Sequence, residues 1–391
     1  MKIEGLACRV APRTLSAVRI AQMMDAKKNE RGHSVESKPV PLTGRRIPAY
    51  VRAAVILLSG ILGVSCASTP PIVDEHGERI PDSIASLEQV EVRGTKQWVL
   101  LRGTRSSAPV LLWLHGGPGG SAIGWNRKYL RALEEDVVFV NWEQRGAGKS
   151  YHAADFATIT VQDYVDDVVA LSEYLTARFN TPKILLVGHS WGSTIGLKAV
   201  HRRPDLYHCF VGIAQQVNSV ENDTMGYHMV LERAREKGDR KVVDKLTKQG
   251  PPPYTEEESG AYNTLFSHLP SCPPSTCSEI SYWDAFVPQE YSLFDSLRAL
   301  RGVLKGTNEV YPQLVDLDLE RDIPQLDIPV FFVAGRYDYI HVQDIAFRYY
   351  QSLKAPVKRF HWFERSGHYP CYQEPERLLK IMRSEILPLT E

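Results

Sequence analysis

Residues 184–196 read ILLVGHSWGSTIG, an apolar run followed by a serine between two glycines and then small residues of helical composition. Residues 183–187 read as a short buried strand, and residues 194–201 as the opening of a helix. Gly188 and Gly192, on either side of Ser190, predict a sharp strand-to-helix bend that lifts the serine hydroxyl into the open. With glycine near ~7% of residues and serine about as common, a Gly-x-Ser-x-Gly match arises by accident in roughly one chain in ten of this length. The five letters gain meaning only if the flanking elements and the chemical partners of a serine nucleophile occur elsewhere in the chain.

The flanking elements do occur. LEQVEVRGTKQWVLLRG, from Leu87, alternates apolar and polar residues around Gly94, a hairpin pattern. Residues 110–114 form a buried strand pattern, 125–135 an amphipathic one and 137–142 another strand. Thr160 with Asp163 makes a capping box that opens a helix to about Phe179. A further strand follows at 209–213. The alternation breaks between Val217 and Ile328, where helical segments such as MGYHMVLERAREKG and KVVDKLTKQG occur without a strand pattern. It resumes with IPVFFVAG, a helix over 342–353, a strand over 357–363 and a last helix over 375–386. This order predicts an α/β fold with a mostly parallel sheet, helices on both faces and a helical insertion.

The expected organisation is a targeting region at 1–65, a linker at 66–86, a core at 87–217, the helical insertion at 218–326 and the rest of the core at 327–391. The chain has 391 residues and 43% apolar content, enough for a large core. Its zero net charge is uneven, because residues 1–65 hold 11 of the 46 Lys and Arg but only 4 of the 46 Asp and Glu. The acidic remainder argues against a nucleic-acid partner. Arg45, Arg46 and Arg52 precede an apolar run at 53–64, too short for a spanning helix of about 20 residues but suited to a signal-peptide core. Ser65 and Cys66 then resemble the lipobox of bacterial lipoproteins, with Gly63 where leucine is usual. Export with a lipid on Cys66, and membrane association through that lipid or the apolar segment, is the expectation; a cytoplasmic protein is the alternative. Cys272 and Cys277, in SCPPSTC, suit a small disulfide loop in an oxidising compartment. No Cys/His pair follows to make a zinc site, so no metal is expected. Cys209 reads as an inert core thiol.

A serine attacks at neutral pH only if a base takes its proton and a third group orients the base. After a sharp-turn serine, the acid and the base should follow in the order Ser, Asp, His, each in a loop after a strand. Asp338 in VFFVAGRYDY and His368 in FHWFERSGHYP meet that order. His361 and His341 compete with His368, but His361 lies inside the strand pattern, where it would be held in the sheet, while His368 follows Gly367 in a loop with freedom to reach back. The oxyanion of an acyl-transfer reaction needs two donors. Trp191 supplies the amide after the nucleophile, and the glycine-rich LHGGPGGS supplies a second at Gly117, with Gly116 as substitute. His115 braces this loop. Gly117, Gly119 and Ala122 match a dinucleotide pattern with Glu134 downstream, but Pro118 and Gly120 break the required helix start.

HGGPGG at 115–120, EQRGAGKS at 143–150, GHSWGS at 188–193, GRYD at 335–338 and SGH at 366–368 together resemble α/β-hydrolases of the proline iminopeptidase type, over roughly 90–388. The resemblance implies an α/β-hydrolase fold, a helical cap over the serine, a Ser190, Asp338 and His368 triad, no cofactor, and release of an amino-terminal residue from short peptides. Glu143 stands where the family commonly has aspartate, and His189 where it has glycine. Cap carboxylates in such enzymes hold the substrate ammonium, and Glu221 in QQVNSVEND is the residue placed for that role. A carboxylesterase or amidase of small acyl substrates is the alternative activity, and an inactive surface binding module the alternative without turnover.

Overall fold

The computed structural model describes residues 68–254, 268 and 276–391, all of which lie in the unit Ile47–Glu391. The calls made on residues 1–65 and on Cys66 and Cys272 fall outside the described residues.

The hairpin read from alternation forms β1 (Ile84–Val92) and β2 (Thr95–Gly103). Val92 faces Thr95 across a two-residue turn in which Arg93 and Gly94 both have positive φ, 47° and 76°. Such a turn matches the right-handed twist of the two strands. The other strands are β3 (Val110–Leu114), β4 (Val138–Trp142), β5 (Ile184–His189), β6 (Tyr207–Ile213), β7 (Val330–Gly335) and β8 (Lys358–Phe363). The eight strands are ordered β1-β2-β4-β3-β5-β6-β7-β8. β1 and β2 pair antiparallel, β2 joins β4 antiparallel, and the remaining neighbours are parallel. Strands β3, β4, β5 and β7 are buried along their whole length, because helices cover both faces of a parallel sheet.

The helices are α1 (Ile123–Tyr129), α2 (Val161–Phe179), α3 (Trp191–Arg202), α4 (Ser219–Glu236), α5 (Arg240–Gln249), α6 (Leu293–Glu309), α7 (Leu319–Asp322), α8 (Gln343–Ser352), α9 (Pro370–Gln373) and α10 (Pro375–Ile381). In α2, Thr160 Oγ1 accepts from the Asp163 N–H at 3.2 Å and Asp163 accepts from the Thr160 N–H at 3.0 Å. That is the reciprocal cap read from the sequence. The final helix is shorter than expected: α10 ends at Ile381, and a π turn, Met382–Ile386, continues it.

Between β6 and β7 the described residues hold α4 to α7 and no named strand. Helix α6 packs on the core through its small residues. A Cβ on Gly302 would run into the carbonyls of Gly146 and Gly119, and one on Gly306 into the carbonyl of Pro118. The helix therefore lies directly on the glycine-rich 115–120 loop.

Within the stretch expected to be a linker, residues 69–72 dock on the core. The Arg102 guanidinium, 1% exposed, donates to Thr69 Oγ1 and the Pro70 carbonyl, both at 2.6 Å, and to Glu134 at 3.0 Å. Thr69 also donates to Glu290 at 3.1 Å, and Ile72 is buried. A buried guanidinium must fill its donors, and residues 69–70 supply two acceptors.

Candidate active site

Ser190 sits between the last residue of β5 and the first of α3, with φ 56° and ψ −122°. A non-glycine residue at such angles carries about 1–3 kcal/mol of strain. The bend is held from both sides. Ser190 donates its N–H to the Ile213 carbonyl at 2.9 Å, and its own carbonyl accepts from the Ser193 N–H at 2.8 Å and Ser193 Oγ at 2.5 Å. The flanking glycines are required by close approach. A Cβ on Gly188 would lie 2.6 Å from the Gly192 carbonyl carbon, and one on Gly192 2.7 Å from the Leu114 carbonyl carbon and 2.8 Å from the His115 oxygen. Helix α3 thus starts against both its own strand and the end of β3.

The residues expected to serve Ser190 converge on it. His368 Nε2 lies 2.9 Å from Ser190 Oγ, and His368 Nδ1 lies 3.0 Å from each oxygen of Asp338. Asp338 follows β7 and is 4% exposed. Burial works to raise its carboxyl, but the His368 imidazole beside it and the His341 N–H hold it below the usual carboxylate range. It also accepts from the Ile340 N–H at 3.0 Å and from Gln343 Nε2 at 3.3 Å. An ionised Asp338 accepts from Nδ1–H, which leaves the lone pair of Nε2 facing the serine hydroxyl.

His368 reaches Ser190 because its loop is tied down. Gly367 donates its N–H to Gln373 Oε1 at 2.8 Å, Ser366 Oγ donates to Glu374 at 2.7 Å, and the His368 carbonyl accepts from His189 Nε2 at 2.8 Å. His189 and His341 flank the imidazole with ring centroids 5.2 and 5.0 Å away. Burial pushes the first down to about 3 and the second down to about 4. Both are neutral near pH 7 and add no competing positive charge. His341 Nδ1–H donates to the Ala214 carbonyl at 2.9 Å. His361 lies within β8 beside Glu385. In the sequence His189 stands out only as occupying a position where the resembling family has glycine, and His341 only as a competing base.

Gly116 touches the nucleophile: a Cβ on it would stand 3.2 Å from Ser190 Cβ. The Gly117 amide is the next group along the chain from that contact, with Gly117 at φ 140°. Among the described residues, neither that amide nor the Trp191 amide donates to another protein group. His115 accepts the Gln144 N–H on Nε2 at 3.1 Å and donates from Nδ1 to the Gly116 carbonyl at 2.8 Å. Burial pushes it down to about 4, so it is a neutral brace. Gln144 Oε1 accepts from the Trp191 indole at 2.8 Å. The EQRG segment thereby joins the glycine-rich loop to the serine bend.

Among the described residues Glu221 makes no hydrogen bond or ion pair with Ser190, His368 or Asp338. Its carboxylate is partly exposed and takes a bidentate pair from Arg348 at 2.8 and 2.6 Å. The Arg348 hydrogen bonds hold it below the usual range. Its charge is already met at the surface, and Asn218 rather than Glu221 caps α4. Cys277 is disulfide-bonded. Cys209 and Cys371 are free and buried, and burial pushes both thiols up. Among the described residues no group of three or more His, Cys, Asp or Glu is placed to hold a metal ion.

A serine on a strained strand-to-helix bend thus faces an imidazole and a buried carboxylate from two later loops of a mostly parallel sheet. The chain belongs to the alpha/beta hydrolase family, whose model matches residues 111–381. It is 30% identical over 306 residues to the probable aminopeptidase YbaC of Bacillus subtilis, covering 75% of this chain and 93% of that one. It is 24% identical over 284 residues to the proline iminopeptidase of Heyndrickxia coagulans, covering 70% and 88%. The solved proline iminopeptidase of Mycobacterium smegmatis superposes with a TM-score of 0.57 at 17% identity, over 78% of this chain and 99% of that one.

Proposed function

We propose that the protein is a serine hydrolase with Ser190 as nucleophile, His368 as general base and Asp338 as its orienting acid, and that it releases amino-terminal residues from short peptides. The hydrogen-bonded line from Ser190 Oγ through His368 to Asp338 carries the chemistry. The peptide substrate is supported by relatives named aminopeptidase and proline iminopeptidase. In this reading Ser190 Oγ attacks the scissile carbonyl as its proton passes to His368 Nε2. Asp338 offsets the imidazolium charge, and the Gly117 and Trp191 amides receive the oxyanion. His368 then hands the proton to the leaving amine, and water repeats the sequence on the acyl-enzyme.

A fluorophosphonate probe should label the wild type and not Ser190→Ala, whose kcat should fall by on the order of 10⁴–10⁶. Equal labelling of both would reject the nucleophile. Hydrolysis of prolyl-naphthylamide against p-nitrophenyl butyrate tests the substrate class, and ester turnover without amide turnover would reject the peptidase. The alternative reading, a carboxylesterase or amidase that needs no free amino end, is favoured by one observation: the carboxylate expected to anchor that end is paired with Arg348. Lipidation of Cys66 is proposed from its sequence context, and fatty-acid labelling lost in Cys66→Ala would support it.

A further inference from the structure

We propose that the outer face of α6, with the turn that precedes it, is a membrane-docking surface that seats the enzyme on an anionic lipid bilayer. The inference rests on the proposed membrane tether and adds a defined face to it.

Two observations meet at one place. The first is an apolar surface. Among the described residues Trp283, Val287, Leu293, Phe294, Leu297 and Leu304 are large, apolar and exposed, with Trp283 and Val287 at 62% and Phe294 at 64%. On α6 the positions 293, 297 and 304 fall on one stripe at 100° per residue, opposite the face that Ala299, Gly302 and Gly306 press onto the core. A helix that buries its small residues and presents its large apolar ones marks an interaction surface.

The second is where the chain enters. Thr69, held by Arg102, donates to Glu290, midway between Val287 and Leu293. Cys66 is three residues earlier, a reach of at most about 11 Å along the chain. The apolar run 53–64 immediately precedes it. A lipid on Cys66 therefore holds this same stretch close to the bilayer.

The charges suit an anionic lipid headgroup. Every carboxylate from 283 to 297 is neutralised by the protein: Asp284 by Lys128 at 2.7 Å, Glu290 by Arg127 at 3.2 Å and Asp295 by Lys149 at 2.8 Å. On α6, Arg301 and Lys305 are exposed along one side of the apolar stripe by helical spacing, Lys305 being paired with Glu309 at 3.3 Å. Apolar side chains entering the acyl boundary, an interfacial tryptophan and flanking cations are the elements of peripheral docking.

The test uses the full chain on mixed phosphatidylcholine and phosphatidylglycerol vesicles with brominated acyl chains, which quench only tryptophan at the bilayer. Of the seven tryptophans, Trp283 alone is exposed. Quenching should occur in the wild type, vanish in Trp283→Phe, and vanish in Phe294→Asp/Leu297→Asp while that variant still sediments with vesicles through its amino-terminal segment. Turnover of a soluble ester should be unchanged in both variants, which separates loss of docking from loss of the fold. Equal quenching in wild type and Trp283→Phe, or quenching retained in the double variant, would overturn the proposal. So would light scattering that shows a dimer dissolved by the double substitution without any quenching in the wild type. If the wild type fails to sediment, the tether reading falls; quenching at raised vesicle concentration then supports docking by itself, and none overturns it.

Discussion

Asp338 is asked to stay ionised in a place that favours its neutral form, and the site answers with donors: His368, the His341 and Ile340 amides and Gln343. Asp338→Asn keeps the shape but presents an amide group to Nδ1. The imidazole then takes the other tautomer, with Nε2–H aimed at Ser190, and cannot accept the serine proton. We expect kcat to fall about 10³–10⁴-fold with KM little changed, read by steady-state kinetics near pH 7; a fall under tenfold would remove Asp338 from the mechanism. Asp338 and His368 were legible because the order of nucleophile, acid and base follows from loops at the same end of successive strands. His189 and His341 were not. Their partners are the carbonyls of His368 and Ala214, 179 and 127 residues away, and a backbone carbonyl leaves no mark in the sequence. The pairing of Glu221 was hidden for a related reason, since its partner Arg348 lies 127 residues away on α8.

At the scale of elements, the hairpin and α2 were readable because their signals are local: positive-φ turn residues in one case, a capping box in the other. Helix α6 was harder. Its apolar residues face outward and its buried side is made of Ala299, Gly302 and Gly306, so the usual link between hydrophobic period and buried face is inverted. The one local sign was Ser292 followed by Asp295, a capping box that the structure contains. Contact with the glycine-rich loop makes Gly302 sensitive. Gly302→Val would force α6 off the Gly119 and Gly146 carbonyls, and we expect a loss of about 1–3 kcal/mol in urea unfolding together with reduced turnover. Arg301→Ala, on the exposed side of the same helix, should stay within about 0.5 kcal/mol of wild type. Similar losses in both would mean that the small face is not what holds α6 to the core.

Across the whole molecule, core and insertion meet through buried carboxylates. Glu143 accepts from Ser121 Oγ at 2.7 Å and from the Lys149 N–H at 2.5 Å, and bonds the Tyr291 hydroxyl. Burial pushes Glu143 up to about 7, the tyrosine and serine hydrogen bonds only partly opposing it. Asp223, buried in α4 against Asn222 and Tyr311, is likewise pushed up to about 7 by burial. Between pH 4.5 and 7 the folded state keeps a proton on Glu143 that the unfolded chain has released. Stability therefore declines as pH rises through that window, and the decline is complete above pH 7. For Glu143 alone it amounts to at most about 3 kcal/mol. Asp338, held below the usual carboxylate range, acts in the opposite sense and only in acid, where its contribution is lost as pH falls. Glu143→Gln, which cannot ionise, should remove the Glu143 share and leave that of Asp223. Urea unfolding at pH 5 and pH 8 is expected to show a smaller drop in the variant than in the wild type, and equal drops would mean that Glu143 ionises without cost at the junction.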